Sequence, residues 1–103
     1  MAYLTIARID GDPDRLLEGY RRASALMDQV GHDHGLIVHA TARTREGLLI
    51  VNLWPSGDGS RAAAADTRRL TALRREAVAP DQQRKEHYDV ERHVVFAGPP
   101  HIG

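Results

Sequence analysis

Apolar positions along this chain switch between two periods. In Ala2–Ile9 (AYLTIARI) they fall on every second residue, the spacing of a strand. From Leu16 the step becomes three and four. Leu16, Leu17, Tyr20, Ala23, Met27 and Val30 form one stripe, with Arg15, Glu18, Arg22 and Asp28 off it. Asp12-Pro13 supplies a helix cap and a first helical residue, and Gly31 reads as the residue just past the helix end. Period two then returns in Leu36–Arg43 and Gly47–Trp54, joined by the polar turn Thr44-Arg45-Glu46-Gly47. With Arg45 and Glu46 at the tip, Ile37 lies opposite Trp54, His39 opposite Asn52 and Thr41 opposite Ile50, all on one face. Leu36, Val38, Ala40, Ala42, Leu49, Val51 and Leu53 take the other. One face is aliphatic; the other is apolar with a His–Asn pair and a Trp set into it. Neither suits water, so both need cover.

Pro55-Ser56-Gly57-Asp58-Gly59-Ser60 breaks the pattern and leads into a second helix over 62–79, with Ala63, Leu70, Leu73 and Ala77 along one side and Pro80 as its stop. After a polar link, His87–Phe96 alternates again as a fourth strand. The order β-α-β-β-α-β predicts a ferredoxin-like α+β sandwich over residues 2–96, with an irregular C-terminal tail at 97–103. Two helices cover one sheet face. The aliphatic face left over predicts self-association as a homodimer.

At 103 residues the chain has room for one domain and one modest core. Its 14 basic and 14 acidic residues balance, which gives no reason to expect a nucleic acid or membrane partner. RNA-recognition domains share this element order but need aromatic residues on the central strands, and GLLIVNLW lacks that pattern. There is no cysteine for disulfide or thiol chemistry, and the N-terminus lacks a signal-peptide pattern, so a cytoplasmic location is expected. Lys85 is the single lysine among many arginines, which with abundant Ala and Gly points to a GC-rich bacterial genome.

The first strand, the helix opened by Asp12-Pro13, the segment GLIVHATARTREGLLIVNLW and a short helix after Trp-x-Ser resemble the antibiotic biosynthesis monooxygenase superfamily of small dimeric α/β-barrel proteins. The resemblance covers residues 2 to 96 and is strongest over Gly35–Ser56. It implies a homodimer whose sheets close into a barrel, with a pocket between sheet and helices in each subunit. It also implies one of several activities: cofactor-free oxygenation of polyketide phenols, haem degradation, isomerisation or cyclisation. The axial His and the Trp of the haem-degrading branch have no counterpart in residues 57–80.

His39 and Asn52 are the candidate catalytic residues. His39 would act as general base and Asn52 as its orienting or oxyanion group; the plainer reading is a self-satisfied hydrogen bond. Trp54 would wall an aromatic ligand or plug the core. Tyr20 and Met27, on the helix stripe, would close the same cavity or simply pack. His93, in phase with His87, Asp89 and Glu91 on the fourth strand, is a second substrate-site candidate if that phase points inward. His32-Asp33-His34 has a metal-like composition, but one loop supplies it all, so no metal is expected, nor any other cofactor. Arg61, Arg68, Arg69, Arg74, Arg75 and Arg84 read as a solvated basic face, with an anionic ligand as the alternative. Two functions stay open: a cofactor-free enzyme on an aromatic or polyketide-type metabolite, and a non-catalytic dimeric module that binds or packs.

Overall fold

Strand β1 (Tyr3–Asp10) lies inside the sheet and pairs antiparallel on both sides, with β3 (Gly47–Trp54) and with β4 (Gln83–Asp89). Strand β2 (Val38–Arg43) adds to the far side of β3, giving the order β2-β3-β1-β4. Helix α1 (Pro13–Asp33) connects β1 to β2, and α2 (Gly57–Ala65) and α3 (Thr67–Arg75) connect β3 to β4. The computed structural model describes residues 1–76 and 83–96. The architecture is the ferredoxin-like α+β sandwich that the sequence predicts, with its second helix divided in two.

The β2–β3 hairpin has the register read from the turn, with His39 facing Asn52 and Thr41 facing Ile50. Thr44 holds the turn twice: its N–H donates to the Gly47 carbonyl at 2.9 Å, and its hydroxyl accepts from the Gly47 N–H at 3.0 Å. Gly47 has no room for a side chain, since a Cβ there would lie 1.8 Å from the Ile9 carbonyl oxygen.

Helix α1 starts where predicted, with the Asp12 carboxylate accepting from the Asp14 N–H. It ends later than Gly31. Gly35, at φ +81°, is the left-handed residue, and the Gly35 and Leu36 N–H groups donate to the His32 and Gly31 carbonyls. That bond pair is a Schellman cap. Gly31 is instead a contact point inside the helix: a Cβ there would sit 2.7 Å from Leu36 Cδ2. Leu36 therefore leaves the outer sheet face assigned to it and packs with Val30, Trp54 and Ala63.

The single helix predicted over 62–79 breaks at Asp66, whose backbone is extended and whose carboxylate accepts from the Arg68 N–H at 2.9 Å. An Asp competes poorly inside a helix and well as a cap. The same carboxylate is also held by His34 Nε2 at 2.9 Å and accepts from the Arg68 guanidinium at 2.8 Å. Across the break, Ala63 of α2 and Ala72 of α3 are buried while Leu70 of α3 is exposed. Ala77, Pro80 and the tail at 97–103 lie outside the described residues.

The fourth strand is also displaced from its prediction. It comprises the polar run QRKEHYD at 83–89, and residues 90–96 follow it outside the sheet. An edge strand is half solvated and accepts charge, and here Arg8–Glu86 and Asp10–Arg84 ion pairs tie it to β1. The apolar Val94, Val95 and Phe96 are exposed, Phe96 at 83%.

The helices cover the face carrying His39, Asn52 and Trp54. The opposite face holds Leu4, Ile6, Leu49, Val51 and Leu53, but toward β4 it turns polar through Arg8, Glu86 and Tyr88. The aliphatic face is thus confined to the hairpin and β1.

Candidate functional site

Strand register places four polar side chains in one row across the covered face. His39 pairs with Asn52, Asn52 with Thr5, and Thr5 with His87, one residue from each strand. Above this row the two layers do not fill the space between them. Gly19 and Ala23 of α1, Ala63 of α2 and Ala72 of α3 face Thr5 and Ala7 of β1 around a cavity of about 560 Å³. Small residues on both layers leave it open, and unfilled space in so small a domain costs stability unless something occupies it.

At the β2–β3 side of the cavity, three polar groups form a chain. His39 Nδ1 lies 2.6 Å from Asn52 Oδ1, and His39 Nε2 lies 2.6 Å from the Tyr20 hydroxyl. Asn52 Oδ1 can only accept, so Nδ1 carries the ring hydrogen and Nε2 receives the Tyr20 O–H. Thr41 Oγ1 is 3.3 Å from the same Nε2. The Tyr20 and His39 rings also stack, with centroids 5.9 Å apart. Helix α1 supplies the tyrosine because Tyr20 sits on its inward stripe, next to Gly19 and one turn from Leu16 and Ala23.

Trp54 is 5% exposed and packs with Val30 and Ala63 while also lining the cavity, so the core and wall roles coexist. Its indole N–H donates to Thr5 Oγ1 at 3.4 Å. Met27 lines the cavity as well. His93 does not: the strand it was assigned to ends at Asp89, and His93 is exposed beyond it. In its place β4 turns Gln83, Lys85 and His87 toward the cavity. The signal was the alternation Gln83, Lys85, His87, hidden because the run is polar. The ring of His87 lies 5.8 Å from that of Tyr3.

The charged groups divide into paired and unpaired. Glu76 takes a bidentate grip from Arg22, the shortest contact being 2.7 Å, and this lowers the carboxyl pKa. Asp66 is held well below the usual carboxylate range by Arg68 and then by His34. His34 is thus committed to the α2–α3 junction, and His32 lies 3.6 Å from Asp33 at the exposed end of helix α1, not in a loop. Among the described residues no group of three or more His, Asp or Glu side chains converges as metal ligands would. No helix of the described residues is long and apolar enough to cross a membrane. Arg69 departs from the solvated face predicted for its helix, since it lines the cavity with Lys85.

Neither a protein-family profile nor a curated protein matches this chain. Solved structures do. A dimeric ferredoxin-like protein of unknown function from a Jannaschia species is 12% identical, over 87% of this chain and 100% of that one, with a TM-score of 0.72. A candidate antibiotic biosynthesis monooxygenase from Caulobacter crescentus is 17% identical, over 88% and 91%, with a TM-score of 0.72. A variant of SnoaB, a cofactor-independent oxygenase from Streptomyces nogalater, is 15% identical, over 90% and 94%, with a TM-score of 0.63. Such identities establish a shared fold: the chain is built like the small ferredoxin-like proteins of the antibiotic biosynthesis monooxygenase type, the group its sequence resembles.

Proposed function

We propose that this chain is a cofactor-independent enzyme that removes a proton from a flat aromatic or polyketide-type metabolite, leading to oxygenation, isomerisation or cyclisation. The observation that carries this reading is the Asn52–His39–Tyr20 chain at the wall of a cavity of about 560 Å³. That volume lies in the range of small-molecule sites, roughly 300–1,000 Å³, so a fused-ring ligand is not excluded by size. Asn52 fixes the imidazole with Nδ1–H toward it, which leaves Nε2 basic. Because Tyr20 already occupies Nε2, the proton travels in two linked transfers. The ligand's acidic C–H or O–H gives its proton to the Tyr20 oxygen, and the Tyr20 proton passes to His39 Nε2.

In the oxygenase form the ligand carbanion reduces dioxygen and forms a C–O bond, giving a hydroperoxide. Loss of the second C–H proton then breaks the O–O bond and yields a carbonyl and water. A CH₂ carbon gives up four electrons and dioxygen takes four. In the isomerase form the proton returns to a different atom. The aliphatic face that no helix covers and the exposed Val94–Phe96 segment favour a homodimer, the assembly stated for the Jannaschia protein.

The test is anthrone or a related phenol, with oxygen uptake and product followed in the presence of chelator. A positioned base contributes about 10²–10⁴ in rate, so His39→Ala should lose about that much. No oxygen uptake and no rearranged product from the wild type would leave a non-catalytic ligand-binding dimer as the better reading.

A further inference from the structure

The row of side chains next to the His39–His87 row ends in a cation. Thr41 pairs with Ile50, Ile50 with Ala7 and Ala7 with Lys85. Lys85 therefore stands at the β4 side of the cavity, three strand spacings from Thr41, about 14 Å between Cα atoms. Arg69, from α3, lines the cavity too. Neither side chain forms an ion pair with a described carboxylate. The carboxylate available nearby on α3's end, Glu76, is engaged by Arg22. Arg69 donates to the Ala64 carbonyl at 3.3 Å.

We infer that Arg69 and Lys85 are a two-point anchor for an anionic group, an aryl carboxylate, at the end of the cavity opposite Tyr20 and His39. Two cations without a carboxylate partner on the wall of one cavity are unfavourable alone and become favourable once an anion sits between them. Burial lowers the pKa of Arg69, and burial together with the charge of Arg69 lowers that of Lys85, so the two groups feel one another. The consequence for the chemistry is directional. A carboxylate fixed at β4 sends the far ring of a two- or three-ring ligand toward Tyr20. This assignment rests on the cavity being a ligand site, as proposed above, and adds the charge and orientation of its ligand.

Calorimetric titration of the full chain with 2-naphthoate and with its neutral isostere 2-naphthamide tests it without turnover. The wild type should bind naphthoate roughly ten- to a hundredfold more tightly, the size expected of charge-assisted hydrogen bonds. That preference should shrink with added salt. Arg69→Gln/Lys85→Gln should bind the two compounds alike, the larger loss falling on naphthoate. If the double variant misfolds, Lys85→Gln alone, a single change on the edge strand β4, should still reduce the preference several-fold. Equal affinity of the wild type for the two compounds, or a preference that survives Lys85→Gln in full, overturns the anchor and leaves the proposed proton chemistry standing. If neither compound binds the wild type, the anchor and the ligand-site reading fall together.

Discussion

The hydroxyl of Tyr20 and Nε2 of His39 stand 2.6 Å apart across the gap between helix α1 and the edge strand β2. The contact joins two layers that otherwise enclose a cavity, and both residues line it; in the proposed chemistry the tyrosine meets the ligand first. Its stacking partner is the same ring, so the helix and strand fix both distance and orientation.

The proposed relay would make the two residues one unit, and units of this kind are not additive. Tyr20→Phe should therefore lower turnover about 10²-fold or more, and Tyr20→Phe/His39→Ala should be little worse than His39→Ala. Oxygen uptake with anthrone measures this. Multiplicative losses, or a fully active Tyr20→Phe, would show that His39 receives the proton directly and that Tyr20 is a wall.

The junction between α2 and α3 carries a pH signature. Arg68 and His34 hold the Asp66 carboxyl below its ordinary range. A depressed carboxyl contributes stability above the unfolded-state pKa of about 3.9 and loses it as pH falls toward the folded value. Asp33 and Glu76 shift in the same direction, through Arg68 and Arg22. Asp66→Asn should melt below the wild type at pH 7, and the gap should close as pH drops below about 4. Thermal melts across that range decide it; a gap of constant size would mean that the cap matters and the charge does not.

Much of this fold is legible in the residues because local chemistry and global packing agree. The hairpin register follows from a turn whose Thr44 and Gly47 each have one job, and Asp12-Pro13 opens α1 for the reason caps exist. His39 and Asn52 could be paired by counting. What was not legible depends on partners distant in sequence. Asp66 ends a helix of good formers because His34 and Arg68 reward its extended backbone. Polar Gln83–Asp89 becomes the fourth strand because β1 offers complementary charges, while the more strand-like His93–Phe96 has no such template. Misplacing that strand left Gln83 and Lys85 outside it and promoted His93 over His87, which shares its phase. Tyr20 as a hydrogen-bond partner was likewise out of reach, since the sequence places it on a stripe and not at a particular depth.

Two glycines separate backbone crowding from side-chain crowding. Gly47→Ala drives a Cβ into the Ile9 carbonyl, which cannot move without breaking the β1–β3 pairing. It should destabilise by on the order of 3 kcal/mol. Gly57→Ala meets only the end of the exposed Arg61 side chain, at 2.9 Å, which can swing away. It should change stability by less than about 0.5 kcal/mol. Urea unfolding of both variants measures the contrast, and similar costs at the two positions would contradict the assigned backbone contact.

The last prediction concerns the face the helices leave uncovered. Val51 sits at its centre, paired with Ile6 on one side and Ala40 on the other, with Leu49 and Leu53 in phase along its own strand. Aliphatic residues in this arrangement gain little by meeting water, and a dimer across this face should bury more than about 1,200 Å² in total. The polar patch of Arg8, Glu86 and Tyr88 borders the apolar zone and would form its rim. Val51→Lys places a charge where no described carboxylate lies in the same row except Glu86, already bonded to Arg8 and Tyr88. Leaving that charge unpaired in a dry interface costs far more than leaving it in water. Wild-type protein should therefore sediment as a dimer at micromolar concentration and melt higher as concentration rises. Val51→Lys should sediment as a monomer with its secondary structure intact. A concentration-independent melt and a monomeric wild type would refute the dimer, and the outer face would then have to be stable in water on its own.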